Sequence, residues 1–317
     1  MRLLKVEDDG EFSLTEFIGD KIPRYAILSH TWGADGEEVI FKDLMEGTGK
    51  NKAGYEKIRF CGEQAATDGL RYFWVDTCCI DKSSSTELSE AINSMFRWYH
   101  NAEKCYVYLS DVSIGGSIKN GEFSQWIWEP AFQKSRWFAR GWTLQELIAP
   151  ASVEFFSVEG ERFGDKKSLE QQIHEITGIT AQALQGAPLS YFSVDERMSW
   201  SANRETKREE DAAYSLLGIF DIHMPLIYGE GQEKALARLR KKIYKPRDTD
   251  SERKHFLRWL SEIDFDEEHR RIYAKRHPGT GSWLIQESKF QKWVDDDTSA
   301  LLWCFGKRTS PIKTFSY

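Results

Sequence analysis

Along the first half of the chain, short continuous apolar runs alternate with stretches of helical period, and that alternation predicts the elements. Residues 25–29 form an apolar run that ends in the polar loop Ser29-His-Thr-Trp-Gly-Ala-Asp-Gly36. Residues 51–69 carry Tyr55, Ile58, Ala65 and Ala66 toward one side and stop at Gly69, which predicts a helix. Residues 72–75 predict a second strand running into Asp76-Thr-Cys-Cys-Ile-Asp81. Ser84-Ser-Thr-Glu87 fits a capping box, and Leu88, Ile92, Met95, Phe96 and Tyr99 follow at helical spacing. A third strand is expected over 104–109, a short helix over 142–148 and a fourth strand over 153–156.

Strands and helices alternating in this way imply an α/β fold with a mainly parallel sheet and flanking helices. Such sheets take ligands beyond the carboxyl ends of their strands. Ser29, His30 and Trp32 follow the first strand, Asp76 to Asp81 the second, and Ser110 with Asp111 the third. An indole in the Gly-rich loop at Trp32 is costly unless it covers something. From 168 to 244 the pattern turns helical: 208–217 ends at Gly218, and Leu236, Leu239 and Ile243 repeat at helical spacing. Residues 245–254 are charged and almost free of apolar side chains, which reads as a linker. Beyond it Phe256, Trp259, Trp283, Phe290, Trp293 and Trp303 are too few for an independent core. The expected organisation is an α/β core over 1–160, a helical extension over 161–245 and a linker with a further segment over 246–317.

At 317 residues, 40% hydrophobic and with 12 Trp, the chain can bury a large core. A net charge of −7 argues against nucleic acid as a partner, since phosphate contacts need clustered Lys and Arg. No apolar run approaches the ~18 residues of a membrane span, and no signal-peptide core is present, so a cytoplasmic protein is expected. The five cysteines lack framework spacing and read as free, mostly buried thiols. Cys78 and Cys79 are expected on opposite sides of a strand, so no metal site is expected.

The densest candidate chemistry lies in Arg140-Gly-Trp-Thr-Leu-Gln-Glu146-Leu, preceded by the basic, aromatic stretch Lys134-Ser-Arg-Trp-Phe-Ala. A helix places Trp142 and Glu146 on one face, and a carboxylate beside an indole is partly desolvated, which raises its proton affinity. On spacing alone, an amphipathic helix with a solvated Glu146 explains the run as well.

Together with Tyr25-Ala-Ile-Leu-Ser-His-Thr-Trp-Gly33, Trp74-Val-Asp-Thr-Cys-Cys-Ile-Asp81, the Met-Phe-Arg-Trp-Tyr helix, Glu210-Asp-Ala-Ala-Tyr-Ser-Leu-Leu-Gly-Ile-Phe220 and Tyr228-Gly-Glu-Gly231, this run resembles the HET (heterokaryon incompatibility) domain of filamentous fungi. The likeness covers about residues 1–245 and is close to the HET–NACHT–WD-repeat vegetative incompatibility proteins. The segment 277–307 resembles the lead-in to a NACHT P-loop. Gly306-Lys-Arg-Thr-Ser-Pro311, however, lacks the second glycine and includes a proline without a donor N–H, so no nucleoside triphosphate binding is expected.

The resemblance implies a cell-death effector that acts when clustered, with NACHT and WD-repeat modules and other HET domains as partners. It also implies a remote likeness to TIR domains, and so a TIR/flavodoxin-like sheet and an NAD glycohydrolase. Glu146 would then be catalytic, with Ser29, His30, Trp32, Asp76, Arg140 and Trp142 binding NAD as substrate and no cofactor required. The alternative is a non-enzymatic scaffold that kills by assembly, with Trp126, Trp128 and Trp137 as an exposed self-association surface.

Overall fold

The computed structural model describes residues 1–7, 10–19, 21–115 and 125–244, the side chains of 125–127 excepted. The expectations for 246–317, for Trp126 and for Cys304 fall outside the described residues. Met1–Lys245 forms one compact unit.

Among the described residues, seven strands make one sheet: β1 (Arg2–Val6), β2 (Phe12–Glu16), β3 (Tyr25–His30), β4 (Tyr72–Trp74), β5 (Lys104–Tyr108), β6 (Val153–Phe156) and β7 (Arg162–Asp165). Their order is β2-β1-β4-β3-β5-β6-β7. The four anticipated strands form the parallel centre, with β3 pairing β4 and β5, and β5 pairing β6. β1, β2 and β7 join antiparallel at the flanks, so the sheet is mixed, with parallel pairing confined to its middle. Every residue of β3 and β6 is buried, as expected of strands covered on both faces.

The connecting helices are α1 (Phe41–Met45), α2 (Gly54–Thr67), α3 (Ser85–Asn101), α4 (Gln125–Gln133), α5 (Arg136–Ala139) and α6 (Thr143–Ile148). α2 lies on one face of the sheet, where Tyr106 Oη donates to Asp68 (2.6 Å) and Tyr108 packs on Phe60. α6 lies on the other, where the Cys105 thiol approaches the Glu146 carbonyl and Ser29 meets the Glu146 side chain. The chain passes from β3 to β4 on one side of it and then to β5 on the other. The carboxyl ends of β3 and β5 therefore form a switch point, where an open α/β sheet leaves a crevice.

α7 (Glu170–Thr177), α8 (Ala181–Leu184), α9 (Val194–Ser199), α10 (Asp211–Tyr214) and α11 (Gln232–Ile243) build the extension. Within the expected 208–217 helix, regular α structure is limited to α10. Gly218 follows it for a different reason from the expected helix stop: a Cβ there would meet Phe96 Cβ of α3 at 2.0 Å. The extension is zipped to the stretch before α6, with Gly141 N donating to Glu205 O (2.8 Å) and Glu205 N to Ala139 O (2.6 Å).

Three expectations need correction. Cys78 and Cys79 sit in a turn after β4, not in a strand, and both are buried and free; Val75 N donates to Cys79 Sγ. Ser84 caps α3 by accepting from Glu87 N (3.4 Å), but the Glu87 carboxylate turns to Asp81 N and Arg2, so the box is half formed. Trp128 and Trp137 are core residues and offer no surface for assembly; Trp137 is wholly buried among Phe138 and Phe155. Among the described residues, no helix is long and apolar enough to cross a membrane, and no cluster of His, Cys, Asp and Glu could hold a metal ion.

Candidate active site

α6 is buried at every position, because the sheet, α3, α5 and α8 surround it. Its carboxylate is therefore not the solvated residue of an amphipathic helix: Glu146 is 7% exposed. Trp142 is the residue before the first turn and keeps a helical backbone. Its indole Nε1 donates to Asp211 (3.3 Å), which also accepts from Tyr228 Oη (3.0 Å).

The Glu146 side chain reaches the end of β3. Ser29 Oγ donates to Glu146 Oε2 at 2.5 Å and accepts from Trp137 Nε1 at 2.8 Å. The Tyr99 hydroxyl is a second partner of the carboxyl and also lies 3.0 Å from the Leu28 carbonyl. On the far side, Arg204 Nη1 donates to Arg140 O (2.9 Å) and Thr143 Oγ1 (2.8 Å), which fixes the start of α6. Burial is the main cause that pushes the Glu146 carboxyl up to about 8, and Asp76 adds to it. Ser29 and Arg204 pull the other way without cancelling it. Burial thus favours the neutral acid, with both forms accessible around neutral pH.

Proton counting fits that state. Trp137 donates to Ser29, Ser29 to Glu146, protonated Glu146 to Tyr99, and Tyr99 to Leu28 O, so each hydroxyl proton has an acceptor.

His30 follows Ser29 but points to the opposite, α2 face of the sheet, as strand alternation requires. Both its ring nitrogens are buried without hydrogen bonds. Nε2 lies 3.7 Å from Asp76 and 3.9 Å from Glu38. Burial, then the Lys57 charge, pushes the imidazole down to about 3, so it is neutral and these approaches are not ion pairs. Lys57 donates to Glu38 (2.5 Å) and to Thr31 O (3.0 Å), and Gly33 N also donates to Glu38 (2.7 Å), which pins the loop after β3.

Above this, Trp32 is 45% exposed. Its Nε1 donates to Asp76 (3.0 Å), and the Lys82 ammonium sits 3.7 Å from the ring centroid.

The seven residues singled out from the sequence therefore fall into three groups. Ser29 joins Glu146 in the buried network. His30, Trp32 and Asp76 form a second cluster at the same strand-end edge, and Asp76 is close enough to raise the Glu146 proton affinity. Trp142 and the Arg140 carbonyl tie α6 to the extension. Asp111 has a local role: it accepts from Ser135 Oγ (2.8 Å) and Arg136 N (2.9 Å) at the start of α5.

Sequence reasoning missed Tyr99, Arg204, Lys57, Glu38 and Lys82. Lys57 was detectable as a cation on the buried face of α2, beside Ile58. Arg204 sits in a polar stretch with no local signal.

Fold and site together define an α/β domain with a buried carboxyl and a half-exposed indole at the edge where parallel strands end. Residues 25–120 match the family described as heterokaryon incompatibility protein (HET). The chain is 56% identical over 310 residues to "Vegetative incompatibility protein HET-E-1" of Podospora anserina, a match covering 96% of this chain and 22% of that protein. The chain thus spans about a fifth of that relative's length. No solved structure matches it.

Proposed function

We propose that the chain is the cell-death effector domain of a fungal vegetative incompatibility system, cytoplasmic and active when clustered, and that it cleaves NAD at the nicotinamide–ribose bond. The observation that carries this reading is the Glu146 carboxyl held by Ser29 at the switch-point edge of the sheet, with its proton affinity near neutrality. The parallel strands run β4-β3-β5-β6, which is the 2-1-3-4 order of flavodoxin-like sheets, and this supports the TIR-like expectation.

In the reaction the C1′–N bond breaks, nicotinamide leaves with the bonding pair, and water adds to the oxocarbenium-like ribose with loss of one proton. The ionised form of a carboxyl whose proton affinity lies near the working pH stabilises the developing positive charge and then takes the proton that water loses, leaving Glu146 protonated. Trp32 offers a ring face to a base and Asp76 an acceptor to a ribose hydroxyl. Clustering would come from NACHT and WD-repeat modules such as the resemblance implies. The test is release of nicotinamide by purified protein, alone and fused to a clustering scaffold. Full release by Glu146→Ala would remove Glu146 from the chemistry.

A second reading is favoured by the same burial. A neutral carboxyl with every proton matched is also a good structural element, and the domain would then act by assembly alone. Under that reading Glu146→Gln, which keeps shape and hydrogen bonding, preserves toxicity and oligomer size.

A further inference from the structure

Apart from the Ser29–Glu146 network, the described residues line an open-sided cavity of about 400 Å³ between the stretch preceding α6 and helices α9, α10 and α11. That volume lies within the range of small-molecule sites. Its donors and acceptors are sorted. Arg204 keeps Nη1 and Nε on backbone and Thr143 but leaves the buried Nη2 without a partner. The Arg240 guanidinium, the Ser215 hydroxyl and the Gln232 amide on the same wall have no hydrogen-bond partner among the described residues.

The remaining polar groups are acceptors. Ser199, Ser201 and Thr206 each give their hydroxyl proton to a backbone carbonyl, at 2.7, 2.8 and 2.7 Å, so their oxygens can only accept. Asp195 adds a carboxylate. Two guanidiniums against one carboxylate leave the cavity with one net positive charge.

An anion alone would satisfy the donors and leave the acceptors facing it. A neutral polyol could serve both sets but would leave the net positive charge uncompensated. We propose that this cavity binds a small hydroxylated phosphate monoester of the sugar-phosphate class. Its phosphoryl group is taken by Arg204 and Arg240, and its hydroxyls by Asp195 and the Ser and Thr oxygens. Guanidinium suits phosphate through charge-assisted, paired hydrogen bonds. Arg204 also holds Arg140 O and Thr143 Oγ1, so an occupant bears directly on the start of α6, the helix that carries Glu146. This consequence rests on the proposed role of Glu146; the binding itself does not.

The experiment is calorimetric titration of the 317-residue protein, without NAD and at fixed ionic strength, with ribose 5-phosphate, ribose and inorganic phosphate. Ribose 5-phosphate should bind one to one, more tightly than inorganic phosphate, and ribose should give no saturable heat. Arg240→Gln, on the exposed face of α11, should weaken ribose 5-phosphate roughly tenfold or more. Asp195→Asn should weaken ribose 5-phosphate without weakening inorganic phosphate. Circular dichroism confirms that both variants are folded. Absence of saturable binding to the unmutated protein overturns the proposal, as does unchanged affinity in folded Arg240→Gln. Equal affinity for inorganic phosphate overturns the sugar-phosphate assignment.

Discussion

Ser29 and Glu146, 117 positions apart in sequence, share a hydrogen bond of 2.5 Å at the end of β3. The bond joins the first central strand to the helix preceding the last one, so it reports on both the fold and the candidate chemistry. Ser29→Ala removes a donor that favours the ionised carboxyl and leaves the Trp137 indole N–H unpaired. The expected result is a loss of about 1–3 kcal/mol in urea unfolding. The Glu146 proton affinity should move further up, read by carboxyl infrared titration of wild type against variant.

Stability should depend on pH through Glu146 in a direction opposite to most carboxylates. Its ordinary value is 4.5 and its folded value about 8, so between those limits the folded state binds more protons than the unfolded one. Stability from this group is therefore fully present below about 4.5 and lost as pH rises toward 8. His30 acts the other way, because its folded value of about 3 lies below 6.5 and its contribution is lost as pH falls through that window. The two offset between about 4.5 and 6.5. Unfolding free energies of wild type relative to Glu146→Gln should fall with pH by at most about 1.4 kcal/mol per unit over 4.5–8. A flat difference would mean the carboxyl is ionised in the folded protein.

Arg204→Lys keeps a charge but loses the fork that serves Arg140 O, Thr143 Oγ1 and Trp200 O together. We expect a destabilisation of roughly 2 kcal/mol by chemical denaturation. Gly218→Ala should be at least as damaging, since its Cβ would overlap Phe96 Cβ and force α3 off the extension. The conservative-looking glycine change is the informative one: a small effect there would contradict the contact between α3 and the turn after α10.

Trp32 separates binding from stability. Its ring is half exposed, so Trp32→Ala should change the melting temperature little. If a base stacks on it, the same variant raises the KM for NAD several-fold and leaves kcat nearly unchanged, whereas Trp32→Phe keeps most of the affinity.

The central strands were legible because burial on both faces makes β3, β5 and β6 mostly apolar, with Glu154 of β6 tolerated by its pairing to Lys104 and Arg162. β1, β2 and β7 escaped notice because flanking strands such as Phe12–Glu16 are only partly covered and carry no strong period. Glu146, Ser29 and Asp76 stood out from their positions after strands or in a family block. What joins them did not. Tyr99 read as one more apolar position of α3, and Arg204 acts across 58 residues from Glu146 through a loop without pattern. Trp142 stands just before the helix that carries Glu146, and its indole is not what desolvates the carboxyl: Trp142 turns to Asp211 while Glu146 turns to Ser29, which spacing could not show.

The central claim is that the Glu146 carboxyl performs NAD cleavage, and the direct measurement is nicotinamide release, followed by chromatography, from clustered wild-type protein and clustered Glu146→Gln. The account predicts time-dependent release by wild type and a loss of at least a hundredfold in the variant, with both proteins folded and of equal oligomer size. Equal release by the two, or no release by wild type while clustering still kills cells, would contradict it.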